Sequence, residues 1–349
     1  MRLASYKPTK STNNLDGELI VVSQDGRRAA SAASIVPSLR EAVERWGELE
    51  EPLRKLNQAL NAGGDCGGAE GTDLGSAAHA ANQVSNSFAL EPAKLMAALP
   101  RSFLFADGSA FIHHIKLVRK ARNAPLPETL LTVPLMYQAE SGRFLSPTEN
   151  IPQRDFAHGT DFEGEVGVIT DFVPMGISAD EAVKKIRLLV LINDVSLRGL
   201  IPEELAQGFG FFVSKPAKAV SPFALTPDEL GSSWREGRLH LPLQVRLNGQ
   251  FFGRANAGEM HFHFGDLIAH AAKTRDLAAG SLIGSGTVSN EDASVGSSCL
   301  AEKRTIEQIR DGKPSTPFLR DGDRVEIWME DSSGRDLFGH IDQVVKAVK

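Results

Sequence analysis

The segment Asp161-Phe162-Glu163-Gly164-Glu165-Val166-Gly167-Val168-Ile169 holds the densest chemistry in the 349-residue sequence. On a strand, residues two apart share a face, so the Glu163 and Glu165 carboxylates would start roughly 6.5–7 Å apart and could converge on one cation. Val166 and Val168 would then point to a core. A strand with one wet face reads the same way. Further acids stand at element ends. Asp194 follows the apolar run Leu188 to Ile192 and leads into Val195-Ser196-Leu197-Arg198, and Asp107 precedes Gly108 in Phe105-Ala106-Asp107-Gly108-Ser109, which reads as a loop. Hard oxygen ligands of this kind select Mg²⁺, Ca²⁺ or Mn²⁺ over zinc.

The elements that must position these acids read as mainly strands. Glu18 to Ser23 holds a β-branched run before the turn Asp25-Gly26, which predicts an opening hairpin. From Leu39 through Trp46 to Leu60 apolar residues recur at helical spacing, and Pro52 predicts two helices joined near Glu50. Ser178-Ala179-Asp180-Glu181 has the pattern of a helix-opening capping box, followed by the strand Leu188 to Ile192. Asn248-Gly249 between Leu243 to Leu247 and Phe251-Phe252 predicts one hairpin, and Asp331-Ser332-Ser333-Gly334 between Val325 to Met329 and Phe338 to Val345 a second. Many strands without a βαβ rhythm indicate an α+β fold, mainly β and largely antiparallel. A boundary near Pro100 divides a small N-terminal α+β domain, residues 1–99, from a larger domain, residues 100–349. Within the first, residues 61–87 are rich in Gly, Ala, Ser and Asn and read as a flexible insertion.

Several pieces together resemble the fumarylacetoacetate hydrolase family, in the same order and at similar spacing. They are Asp107 with His114 seven positions on, Glu163-x-Glu165, Asp194-x-x-x-Arg198, Lys215 ahead of Ser221-Pro222, Gly284-Ser285-Gly286-Thr287-Val288-Ser289, and Glu302. The resemblance covers roughly Pro100 to Val345. It implies a mixed β-roll, a dimer, and a hydrolase that cleaves a carbon–carbon bond in a small 1,3-diketo acid, fumarylacetoacetate or an acylpyruvate-like analogue, in aromatic catabolism. Asp107, Glu163, Glu165 and Asp194 would hold a divalent metal, balanced in charge by Lys215 and Arg198. His114 would activate water with Glu302 orienting it, Lys215 and Arg198 would line the site, and Tyr137, Thr287 and one of Arg119 or Arg122 would meet substrate. The sequence departs from the animal enzymes at Ser109, where they place a tyrosine, at Ile201 and Leu205, where they place polar contacts, and at Lys218, near an expected threonine. Relatives that decarboxylate or isomerise oxo acids supply a second reading, and a metal-stabilised binding protein a third.

Other signals point away from different functions. The net charge of -6 leaves no broad cationic face for nucleic acid. The cysteines, Cys66 and Cys299, form no zinc motif, and two cysteines in a chain of this length fit a reducing compartment. The N-terminus lacks the apolar core of a signal peptide and the longest aliphatic run is too short for a bilayer, so a cytoplasmic protein with no membrane partner is expected. His261-Phe262-His263-Phe264 could offer two imidazoles on one strand face, although packing or a dimer contact explains them as well. Gly208-Phe209-Gly210 lacks the context of a dinucleotide loop.

Overall fold

The computed structural model describes residues 1–8, 14–62, 87–121 and 125–349. Most of the insertion expected over 61–87, with Cys66, and the candidate Arg122 lie outside the described residues. One sheet of eleven strands positions the site. From one edge its path runs Ser87–Ala89, Arg28–Ser31, Glu18–Val22, Arg2–Tyr6, Ala224–Leu225, Ile186–Asn193, Gly164–Thr170, Leu282–Gly284, Phe105–Gly108 and Met136–Ala139, with Ala219–Val220 pairing Ile186–Asn193 off that path. Neighbours are antiparallel except Leu282–Gly284 on Phe105–Gly108, which is parallel. The strands of the first 99 residues thus share this sheet with later ones, through Arg2 opposite Leu225.

The two central strands, Gly164–Thr170 and Ile186–Asn193, are largely apolar and buried on both faces, because each face is covered. Leu188, Val190 and Ile192 face a cluster with Leu39, Trp46 and Leu53 of the N-terminal helices. Leu189 and Leu191 face the opposite cluster, which includes Leu243, Val245 and Ile327 of a second, five-stranded sheet. The expected α+β, mainly β character holds.

Local chemistry explains the turns. Asn248 and Gly249 both have positive φ, 53° and 74°, as a two-residue hairpin turn requires. Ser178 accepts the N–H of Glu181 and starts the helix Ala179–Val183. The helical region after Leu39 departs from expectation. Its break lies at Arg45, between the helices Leu39–Glu44 and Trp46–Asn61, and Pro52 stays inside the second. Trp46, Leu49, Leu53, Leu56 and Leu60 bury one continuous face there, and that burial outweighs the backbone bond that proline removes. Among the described residues no helix is long and apolar enough to cross a membrane.

Candidate active site

Asp107, Glu165 and Asp194 converge at the centre of the long sheet. Each offers one carboxylate oxygen, these lie within 4.8 Å of one another, and all three residues are buried. Glu165 lies on Gly164–Thr170 opposite Ile192, and Asp194 follows the end of Ile186–Asn193 on the neighbouring strand. Asp107 corrects the sequence reading. It lies on the strand Phe105–Gly108 rather than in a loop, because that short run is clamped between Leu282–Gly284 and Met136–Ala139.

The glycines of Gly284-Ser285-Gly286 make this clamp compatible with the acid. A Cβ at Gly284 would come 2.3 Å from Asp107 Oδ1. The N–H of Gly286 donates to the same oxygen at 3.2 Å. Gly286 has φ +74°, and a Cβ there would meet the Gly108 carbonyl oxygen at 2.3 Å.

Glu163 shares the expected side of the chain but has different partners. Arg198 donates to Oε1 at 2.5 Å and Lys215 to Oε2 at 2.7 Å. Lys215 also donates to Asp194 Oδ2 at 2.5 Å, where the Tyr137 hydroxyl donates at 2.8 Å. The structure therefore brings together three of the four expected metal acids and joins the fourth to two cations.

His114 Nδ1 lies 3.0 Å from Glu302 Oε2, and the histidine lines the cleft. His114, and not the adjacent His113, meets Glu302. The helix Leu300–Asp311 holds Glu302 in place, and its first turn is tied down twice: Cys299 Sγ accepts the N–H of Glu302, and Asp161 accepts the N–H groups of Leu300 and Ala301 at 2.7 and 2.9 Å. Asp161 also accepts from Arg198 Nε at 2.8 Å. It is a positioning residue that the sequence reading left without a role, although it opens the same acidic segment.

Lys218 is the second residue missed as a site component. It is fully buried, with Nζ 2.9 Å from Asp194 Oδ1 but without hydrogen-bond geometry. Thr287 and Arg119 line the cleft, and Arg119 Nη1 donates to the Pro125 carbonyl at 2.7 Å. His261 and His263 are not on a strand. Nε2 of His261 lies 3.0 Å from the Leu131 carbonyl oxygen, and His263 caps the helix Phe264–Ala271.

Burial, then the nearby Asp194 charge, pushes Asp107 up to about 8. Burial, then Asp107 and Asp194, holds Glu165 well above the usual carboxylate range. Burial opposes ionisation of Glu163 too, but Arg198 and Lys215 outweigh it and hold that carboxyl well below its ordinary value. Burial lowers Lys218, with Asp194 opposing the shift. With every group ionised, the five acids Asp107, Asp161, Glu163, Glu165 and Asp194 face three cations, Arg198, Lys215 and Lys218, which leaves two negative charges for a cation to compensate. The balance expected from the sequence omitted Asp161 and Lys218. Both Glu165 oxygens and Asp194 Oδ1 lack any hydrogen-bond donor. Orphaned buried carboxylate oxygens with a charge deficit of two fit a divalent cation.

The cluster opens into a cleft of ≈ 1750 Å³. Acids arranged for a cation beside a glutamate-backed histidine equip an enzyme for small, oxygen-rich electrophiles. The lineage follows from likeness in sequence: the chain belongs to the fumarylacetoacetate hydrolase family. Residues 104–346 match the family described as Fumarylacetoacetate (FAA) hydrolase C-terminal, and residues 1–101 match Fumarylacetoacetase N-terminal domain 2. The chain is 27% identical over 213 residues to 2,4-didehydro-3-deoxy-L-rhamnonate hydrolase of Sphingomonas sp. (strain SKA58), covering 60% of this chain and 64% of that protein. It is 26% identical over 172 residues to an oxaloacetate tautomerase of Bacillus subtilis (strain 168), covering 49% of this chain and 48% of that protein. The chain thus spans less than two thirds of each of these relatives. Maleylpyruvate hydrolase from Sphingobium sp. SYK-6 has the same fold, with a TM-score of 0.62 at 13% identity over the full length of both chains.

Proposed function

We propose that the protein is a divalent-metal-dependent hydrolase that cleaves a carbon–carbon bond in a small 1,3-diketo acid, fumarylacetoacetate or an acylpyruvate-like analogue. The observation that carries this reading is the His114–Glu302 pair at 3.0 Å, with His114 lining the same cleft as Asp107 and Glu165. A water activator has work in hydrolysis and none in simple decarboxylation. Asp107, Glu165 and Asp194 would hold the ion, which when bound supplies a Lewis acid for the diketone oxygens.

The chain's own residues supply the rest. With Nδ1 turned to Glu302, His114 keeps its other ring nitrogen to take a proton from water as the oxygen adds to a carbonyl carbon. Glu302 stabilises the imidazolium that forms. Lys215 lines the cleft with its ammonium fixed between Glu163 and Asp194, so it presents positive charge where the oxyanion develops, without reorganisation. The carbon–carbon bond then breaks, leaving one new carboxylic acid and an enolate, and the His114 imidazolium returns its proton to the enolate carbon.

Purified protein with Mg²⁺ or Mn²⁺ is to be assayed against fumarylacetoacetate, an acylpyruvate and oxaloacetate. Cleavage of a diketo acid is expected. Turnover of oxaloacetate alone would favour the isomerase or decarboxylase reading, binding without turnover a binding protein, and full activity after exhaustive chelation would remove the metal from the mechanism.

A further inference from the structure

The wall of the cleft along 201–213 is apolar and begins at the catalytic cluster. The Tyr137 hydroxyl donates to Asp194, and the Tyr137 ring packs edge-on against Phe211 with centroids 5.1 Å apart. From Phe211 the surface continues over Phe212, Val213, Leu205 and Ile201, all lining the cleft. Phe212 is 87% and Val213 58% exposed, an unusual outlay of apolar surface for water to face. The segment is nonetheless held in place: the Glu204 carboxylate accepts the N–H groups of Phe212, Val213 and Ser214 at 3.1, 2.6 and 3.1 Å.

Cations are placed elsewhere. Of the Arg and Lys side chains lining the cleft among the described residues, Arg198 is held by Asp161 and Glu163, and Lys215 by Glu163 and Asp194. Arg119 stands on a different element, the helix Ile112–Ala121. A substrate carboxylate laid on the 201–213 wall would lose water and gain no partner from it. An alkyl or aryl group there would bury apolar area.

We infer that this wall receives an apolar acyl group, so the substrate class is 2,4-dioxo acids ending in an alkyl or aryl group rather than in a second carboxylate. The inference rests on the diketo-acid reading of the site and selects the acylpyruvate-like branch of it, with Leu205 and Phe211 as specificity-determining residues.

Calorimetric titration of the Mn²⁺-loaded protein with 2-oxohexanoate and 2-oxoadipate tests it without turnover. These probes share a six-carbon chain and differ in a terminal methyl against a terminal carboxylate. The expected result is binding of 2-oxohexanoate at least roughly tenfold tighter, a ratio that Leu205→Arg narrows. Equal or tighter binding of 2-oxoadipate, no binding of 2-oxohexanoate, or a ratio indifferent to Leu205→Arg in folded protein overturns the inference. Cleavage is read separately on 2,4-dioxohexanoate and on fumarylacetoacetate. Absence of cleavage with the binding preference intact refutes the hydrolase reading alone, whereas a larger kcat/KM for fumarylacetoacetate keeps the hydrolase and refutes the apolar wall.

Discussion

Two halves of the buried cluster, two residues apart in sequence, are built on opposite principles. Around Glu163 both carboxylate oxygens have cationic donors, and the carboxyl is held ionised. Around Glu165 both oxygens lack donors, the neighbours are two more acids, and the carboxyl resists ionisation. A saturated ion pair holds geometry, while an unsatisfied acid holds free energy in reserve for a cation. The pattern E-x-E is thus divided between a scaffold and a receptor.

The largest expected effect comes from breaking the receptor half. Glu165→Gln is expected to weaken Mg²⁺ or Mn²⁺ binding by more than about 100-fold and to abolish turnover, with the fold intact by circular dichroism. Comparable loss of metal from Glu163→Gln would show that the two halves are one, and that the division drawn above is wrong. Next in size, His114→Ala is expected to lower kcat by roughly 10²–10⁴-fold with metal affinity little changed, and Glu302→Gln to do so more mildly. Near-normal turnover by folded, metal-loaded His114→Ala would refute the water-activating role.

Glu163→Gln sharpens the comparison from the scaffold side. It should keep metal affinity within roughly tenfold while lowering stability by about 1–3 kcal/mol, because Arg198 and Lys215 each lose an ionised acceptor. Thermal unfolding checks this, and an unchanged Tm would mean that Asp161 and Asp194 suffice to hold both cations.

The smallest effect is a pH dependence confined to the receptor half. Asp107 has its folded value raised to about 8, so the stability linked to its proton is present at low pH and is lost as pH rises through about 8 in metal-free protein. The Tm gained on adding Mn²⁺ should therefore grow as pH approaches 8, and binding near pH 7 should release at least roughly one proton per ion. Calorimetry in buffers of different ionisation heat measures that release, and a value of zero would mean that the acids are already ionised without metal.

The sequence carried the types and order of the chemical residues well, because spacing along one strand and at strand ends is local information. Asn248-Gly249 likewise carries its hairpin in its own backbone preferences. What stayed hidden depends on distant partners. Glu163 and Glu165 look equivalent until Arg198, Lys215, Asp107 and Asp194 arrive from other parts of the chain. Lys218 enters the sequence reading only as a departure near an expected threonine, and only the pairing of Ala219–Val220 with Ile186–Asn193 places its neighbour in the sheet and its ammonium beside Asp194. Asp107-Gly108 reads as a loop because both residues disfavour strands, yet the parallel pairing with Leu282–Gly284 overrides that preference. Pro52 misplaced a helix break for the same reason, since a buried apolar face decided the matter.

The parallel pairing of Asp107 with Gly284 also sets a schedule for synthesis. At roughly 5–20 residues per second, ribosomal elongation separates these two positions by about 10–35 s. During that interval Phe105–Gly108 lacks its parallel neighbour, and Glu302, nearly twenty residues later than Gly284, has not joined His114. Glu165 and Asp194 belong to strands that pair directly, whereas Asp107 is joined to them only through Leu282–Gly284, so the three-acid geometry is completed in roughly the last fifth of synthesis.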